Sequence, residues 1–215
     1  MSKSIYSLVL SDDVVGAVDQ AAHRAGLSRS AFINNVLAEA VSYTTPEKRM
    51  NDIFAQIEQL INSDVFRIMP RPSESALAMR SALRYKYNPM IRYSIEFSKN
   101  NTDLSAKFTA YLRTQSEALM ICYSAFIALW VLLDGKEYQS GYNYSVEGEK
   151  FTRYFNLTVN ADISDNAIAS ALSDYVSVFD ELLKIYFSKA NDPAAAEAAV
   201  RKRYNELTEP GFDFI

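Results

Sequence analysis

The 215-residue chain is 49% hydrophobic with a mean hydropathy of −0.12, the balance of a globular protein and not of a disordered or fibrous one. Its net charge of −4 has the wrong sign for a protein that coats nucleic acid by charge alone. A single cysteine, Cys122, excludes an intrachain disulfide and fits a reducing, cytoplasmic compartment.

Chain order begins with an alternating segment. From Ser4 to Leu10, Tyr6, Leu8 and Leu10 share one face and Ile5, Ser7 and Val9 the other, which predicts a strand. Ser11 followed by Asp12 and Asp13 predicts a capped helix start with acids in its first turn. Val14, Val15, Val18, Ala21 and Ala22 repeat at helical spacing, and Gly26 ends that helix. Ser28 caps a second helix, whose apolar stripe is Phe32, Ile33, Val36, Leu37, Ala40 and Val41. One strand and two helices of about 40 residues bury too little surface to stand alone. The stretch holds no cysteine and no metal-ligand cluster. The economical solution is a homodimer in which two strands pair antiparallel and four helices close over their inner face. The outer face of such a ribbon fits the DNA major groove.

Strand, Ser-Asp-Asp cap, apolar helix, Gly26-Leu27-Ser28-Arg29-Ser30 and a second apolar helix together resemble the ribbon-helix-helix repressors, the MetJ/Arc/CopG superfamily. The resemblance is ungapped over Lys3 to about Val41 and covers roughly a fifth of the chain. It implies that bases are read by the outward strand residues, here Lys3, Ile5, Ser7 and Val9. It also implies that phosphate is gripped at the start of the second helix, here Ser28, Arg29 and Ser30. Free N–H groups and the positive dipole end give that second role its physical basis. On the ribbon face only Ser7 brings a good hydrogen-bonding side chain; Ile5 and Val9 offer apolar surface of the kind thymine methyl groups meet.

Thr44-Thr45-Pro46 breaks the second helix and sets an expected boundary, with residues 1–45 as the dimerisation and DNA-binding domain and 46–215 as an α+β body. Glu47 to about Asp64 reads as helix and Val65 to Met69 as a short strand ending at Pro70. Ser73 to Ala82 reads as a turn of helix or a loop. Leu83, Tyr85 and Tyr87, and after Pro89 Ile91, Tyr93, Ile95 and Phe97, alternate as two strands or one bent strand. This is the most basic region. Residues 65–98 hold six basic and two acidic side chains, while residues 1–49 hold five of each. Arg84, Lys86 and Arg92 are accordingly a candidate anion patch, weighed against an ordinary charged sheet face.

Leu104, Phe108, Tyr111, Leu112, Gln115 and Leu119 fit a helical period and predict a helix running into Ala118–Leu133. That apolar run is shorter than a membrane span and reads as a buried central helix, so no membrane is expected. Tyr142 to Val146 and Phe151 to Val159 predict a hairpin, Ser164-Asp165 caps a long helix to about Ser188, and Asp192-Pro193 opens the last helix.

Catalytic motifs are missing from the sequence: no phosphate-binding glycine loop, no paired-cysteine motif, no zinc-protease motif, and one histidine, His23. The expectation is a non-enzymatic, cofactor-free regulator that binds DNA as a dimer or a higher oligomer, with a body that senses a small molecule or protein. The alternative is an antitoxin-like or scaffold protein that uses the arm only to dimerise.

Overall fold

The computed structural model describes residues 5–85, 88–100, 103–135, 144–157 and 163–208, with backbone alone for 99, 100, 103 and 104. The expectations for Lys3, Lys86, Tyr87 and the end of the second hairpin strand lie outside them. Among the described residues the order is α1 (Asp12–Arg24), α2 (Arg29–Ala40), α3 (Pro46–Leu60), β1 (Arg67–Ile68), β2 (Ala76–Ala82), β3 (Met90–Asn100), β4 (Asp103–Leu112), α4 (Glu117–Asp134), β5 (Tyr144–Glu147), β6 (Lys150–Asn156), α5 (Asp165–Ser188) and α6 (Pro193–Leu207). The chain is α+β, with two compact units, Met1–Arg49 and Met50–Ile215.

In the first unit α1 and α2 form a helical hairpin. Its turn follows from Gly26, which takes φ +67°. There the Gly26 N–H donates to the His23 carbonyl at 3.1 Å and the Leu27 N–H to the Ala22 carbonyl at 2.9 Å. That pair of bonds closes the end of α1 as a Schellman motif, which favours glycine because any Cβ strains the left-handed backbone. Ser28 then caps α2, its Oγ accepting from the Ala31 N–H at 3.3 Å. Ser11 holds the cap position of α1 with extended backbone but makes no side-chain cap bond. At the other end, Thr45 Oγ1 accepts from the Lys48 N–H at 3.2 Å and starts α3, with Pro46 at its first position.

The second unit is built on one antiparallel sheet in the order β1-β2-β3-β4-β6-β5. Alternation sorts its side chains. Met79, Tyr93, Ala110 and Phe151 are register neighbours on one face, as are Ile95 and Phe108, and Phe97, Ala106 and Phe155. All are buried. Helix α5 covers this face: Phe179 meets Tyr93, Phe108, Phe126, Trp130 and Phe151 at centroid distances of 5.0–6.0 Å. Phe54 of α3 reaches the same layer against Phe97.

Three buried polar links pin the helices to the sheet. The Tyr93 hydroxyl donates to Asp180 at 2.9 Å, and Lys184 donates to the other Asp180 oxygen at 2.6 Å. Trp130 Nε1–H donates to the Tyr175 hydroxyl at 3.0 Å, which donates to Asp134 at 3.3 Å; Arg153 of β6 meets that carboxylate at 3.1 Å. The Tyr123 hydroxyl donates to the Ala110 carbonyl at 3.0 Å.

Helix α4 is the one helix among the described residues long and apolar enough to cross a membrane, by length and composition. Its Tyr123, Phe126, Ile127 and Trp130 are buried against the body's own core. Cys122 lies half-buried on the same helix, and burial pushes its thiol pKa up.

Four expectations differ from the structure. The strand expected over Ser4–Leu10 is not formed at residues 5–10, where no neighbouring strand of the chain supplies partners for the backbone groups. Residues 76–82 are strand β2, not helix or loop: the stretch ALAMRSA has little β-propensity, and its place between β1 and β3 overrides that. Residues 83–85 and 88–89, between β2 and β3, are not strand, and Asn88 takes φ +43°. Residues 103–112 are strand β4, and the helix begins only at Glu117. There the apolar residues at 106, 108, 110 and 112 satisfy a period of two, and pairing with both β3 and β6 decides between the two periods.

Candidate nucleic-acid interface

The arm ahead of α1 is the expected base-reading segment. Residues 5–10 belong to no ladder, and their backbone groups make no hydrogen bond among the described residues. Ile5 and Val9 are 98% and 102% exposed, whereas Leu8 and Leu10 of the other face are 61% and 43% exposed. Ser7 is exposed as well.

The two helices behind this segment share its incompleteness. Only Ala22 of α1 and Ala38 of α2 are buried. Val14, Val36, Leu37, Val41 and Tyr43 all stand exposed. A folded chain leaves scattered apolar residues in water without consequence, but here most of the apolar positions of a whole unit are uncovered.

At the start of α2, Ser28, Arg29 and Ser30 are all exposed, and the Ala31 N–H of the first turn is taken by the Ser28 cap. Arg29 is not free. Its guanidinium forms a two-pronged ion pair with Asp19 of α1, and that carboxylate pushes the guanidinium pKa up. The sequence reading missed this partner; Asp19 lies ten residues earlier, and only the Gly26 turn brings the two together.

The candidate anion patch is differently composed from its sequence version. Arg84 is exposed in the connection after β2, and Arg92 lies on β3. The register instead aligns Arg92 with Arg80 on one side and Tyr111 on the other, Arg80 with Arg67, and Tyr111 with Lys150. Four cations and a tyrosine thus form one row across five strands, on the face away from the core. The signal in the sequence was the outward position of Arg92 between Ile91 and Tyr93; its alignment through Tyr111 with Lys150, 58 positions later, had none.

No cluster of three or more His, Cys, Asp or Glu residues suited to a metal occurs among the described residues. His23 is exposed in the last turn of α1. Asp134 and Asp180 are buried in the core links described above.

Compared with family models, with curated proteins and with solved structures, the chain finds no match in any of the three.

Proposed function

We propose that this protein is a sequence-specific DNA-binding transcriptional regulator acting as a homodimer, with its N-terminal segments paired as an antiparallel ribbon in the major groove. The reading is supported chiefly by the arm: an unpaired segment at residues 5–10 precedes a helical hairpin whose apolar side chains stand uncovered. A second copy related by a two-fold axis supplies what each lacks, a partner strand and a facing set of helices. The ribbon then directs Ile5, Ser7 and Val9 toward bases, and Ser28 to Ser30 present N–H donors to phosphate. The same reading makes the protein cytoplasmic and free of catalytic duty, and gives the body a sensing role.

One observation favours a second reading. Arg29 is already neutralised by Asp19, and Ile5 and Val9 carry no hydrogen-bonding group. An arm that only dimerises, in an antitoxin-like or scaffold protein, needs neither. Fluorescence anisotropy of the full-length protein on DNA from its own upstream region, titrated with salt, separates the two. A tight, sequence-dependent complex that the double substitution Ser7→Ala, Arg29→Ala abolishes is the expected result. A dimer with no DNA affinity even at low salt overturns the first reading in favour of the second.

A further inference from the structure

The body carries a cationic row with no internal purpose. Arg67, Arg80, Arg92 and Lys150 are aligned across the sheet by the register, with Tyr111 between the last two. Adjacent strands lie about 4.8 Å apart, so the row is roughly 19 Å long. Like charges directly opposite one another weaken a sheet, and two such pairs, Arg67 with Arg80 and Arg80 with Arg92, are consecutive here. None of the four cations is paired with a carboxylate among the described residues. Carboxylates do lie nearby. Glu96 belongs to the same face but pairs with Lys107 at 2.7 Å, and Glu147 is the register partner of Lys150 at the end of the row.

The middle of the row borders a shallow, open depression of about 270 Å³, lined by Arg92, Ser94, Glu96, Thr109, Tyr111 and Lys150. Thr109 is 8% exposed, and its Oγ1 has no hydrogen-bond partner. Arg80 Nε, one strand beyond Arg92, is likewise shielded from water and without an acceptor. Buried polar atoms seldom go unsatisfied, so two on one open, cationic face point to an acceptor from outside the chain.

We propose that this sheet face binds a ligand carrying more than one phosphoryl group. One group is seated between Arg92 and Lys150, with the hydroxyls of Ser94, Thr109 and Tyr111 beside it, and further negative charge extends along Arg80 and Arg67. Several cations in a line fit a polyanion better than a single carboxylate, and guanidinium forks match phosphoryl oxygens. The site belongs to the body and is independent of how the arm functions.

Calorimetric titration of the full-length protein at low ionic strength tests this with two probes, tripolyphosphate and a single-stranded oligothymidylate. Tripolyphosphate binding without the oligonucleotide identifies a small free polyphosphate group as the source; binding of the oligonucleotide identifies a nucleic-acid backbone. In either case Arg92→Gln with Lys150→Gln weakens binding by about tenfold or more, as loss of two charge-assisted contacts should. The double variant melts no lower than the parent, because neither side chain has an ion-pair partner to lose and Arg92 stands opposite the like charge of Arg80. Arg29→Ala in the arm leaves this binding unchanged, so a failure here is distinct from a failure of operator binding. Absence of binding by both probes, or binding that the double variant leaves intact, overturns the proposal.

Discussion

Single side chains decide how the buried polar groups and the exposed charges behave. Tyr175 accepts from Trp130 and donates to Asp134, linking α5 to α4 inside an aromatic core. Replacing it with phenylalanine keeps the ring and removes both bonds, at an expected cost of about 2 kcal/mol in urea unfolding. Burial and the Asp180 carboxylate hold the Tyr93 phenol well above its ordinary pKa of 10.0, and burial with Asp134 does the same for Tyr175. The unfolded chain releases these protons at lower pH than the folded one. The stability both phenols contribute is therefore complete below about pH 10 and declines as pH climbs toward their raised values. A urea midpoint that is flat from neutrality to about pH 9 and then falls is the expected profile. On the surface, Asp19 restrains Arg29. Asp19→Asn releases the guanidinium, and under the DNA-binding reading operator affinity rises and the salt slope steepens by about one phosphate contact per arm. An unchanged slope would place Arg29 away from the DNA backbone.

At the scale of elements, ends were more legible than interiors. Gly26, Ser28, Ser164 and Asp192 all stand where their chemistry calls for a terminus, and Ser28, Ser164 and Asp192 each accept a backbone N–H three residues on. These signals are local, since a cap or a left-handed residue serves only the turn it belongs to. Gly26→Ala tests one of them. A Cβ at Gly26 meets nothing within 4 Å, so the cost is conformational alone, about 1 kcal/mol, readable as earlier melting of the arm by circular dichroism. Strand β4 shows the opposite case. Phe108, Leu112 and Leu119 also satisfy a helical period, and only the ladders to β3 and β6 select the strand. Phe108 then becomes the centre of the ring cluster, touching Tyr93, Phe151, Tyr175 and Phe179. Phe108→Ala is expected to destabilise the body by about 4 kcal/mol in urea unfolding.

For the whole molecule, the division at Arg49–Met50 separates a unit with two buried helix residues from one with a continuous apolar core. The body is therefore expected to fold without the arm. A fragment of residues 45–215, which keeps the Thr45 cap of α3, is expected to melt cooperatively and sediment as a monomer, while the full chain sediments as a dimer. A dimeric fragment would move the self-association into the body and leave the arm's apolar residues unexplained.

The sequence alone determined the α+β class, the two helices of the arm with the Gly26 turn between them, the caps at Ser28, Ser164 and Asp192, the β5–β6 hairpin, and the long helices α5 and α6. All of these are written in neighbours a few residues apart. Only the tertiary structure decided that residues 76–82 and 103–112 are strands, that Asp19 holds Arg29, and that Arg67, Arg80, Arg92 and Lys150 stand in one row. Those facts depend on ladder register and on a helical turn, which join residues distant along the chain. A period of two or of 3.6 states which face a side chain takes, but not which strand lies beside it.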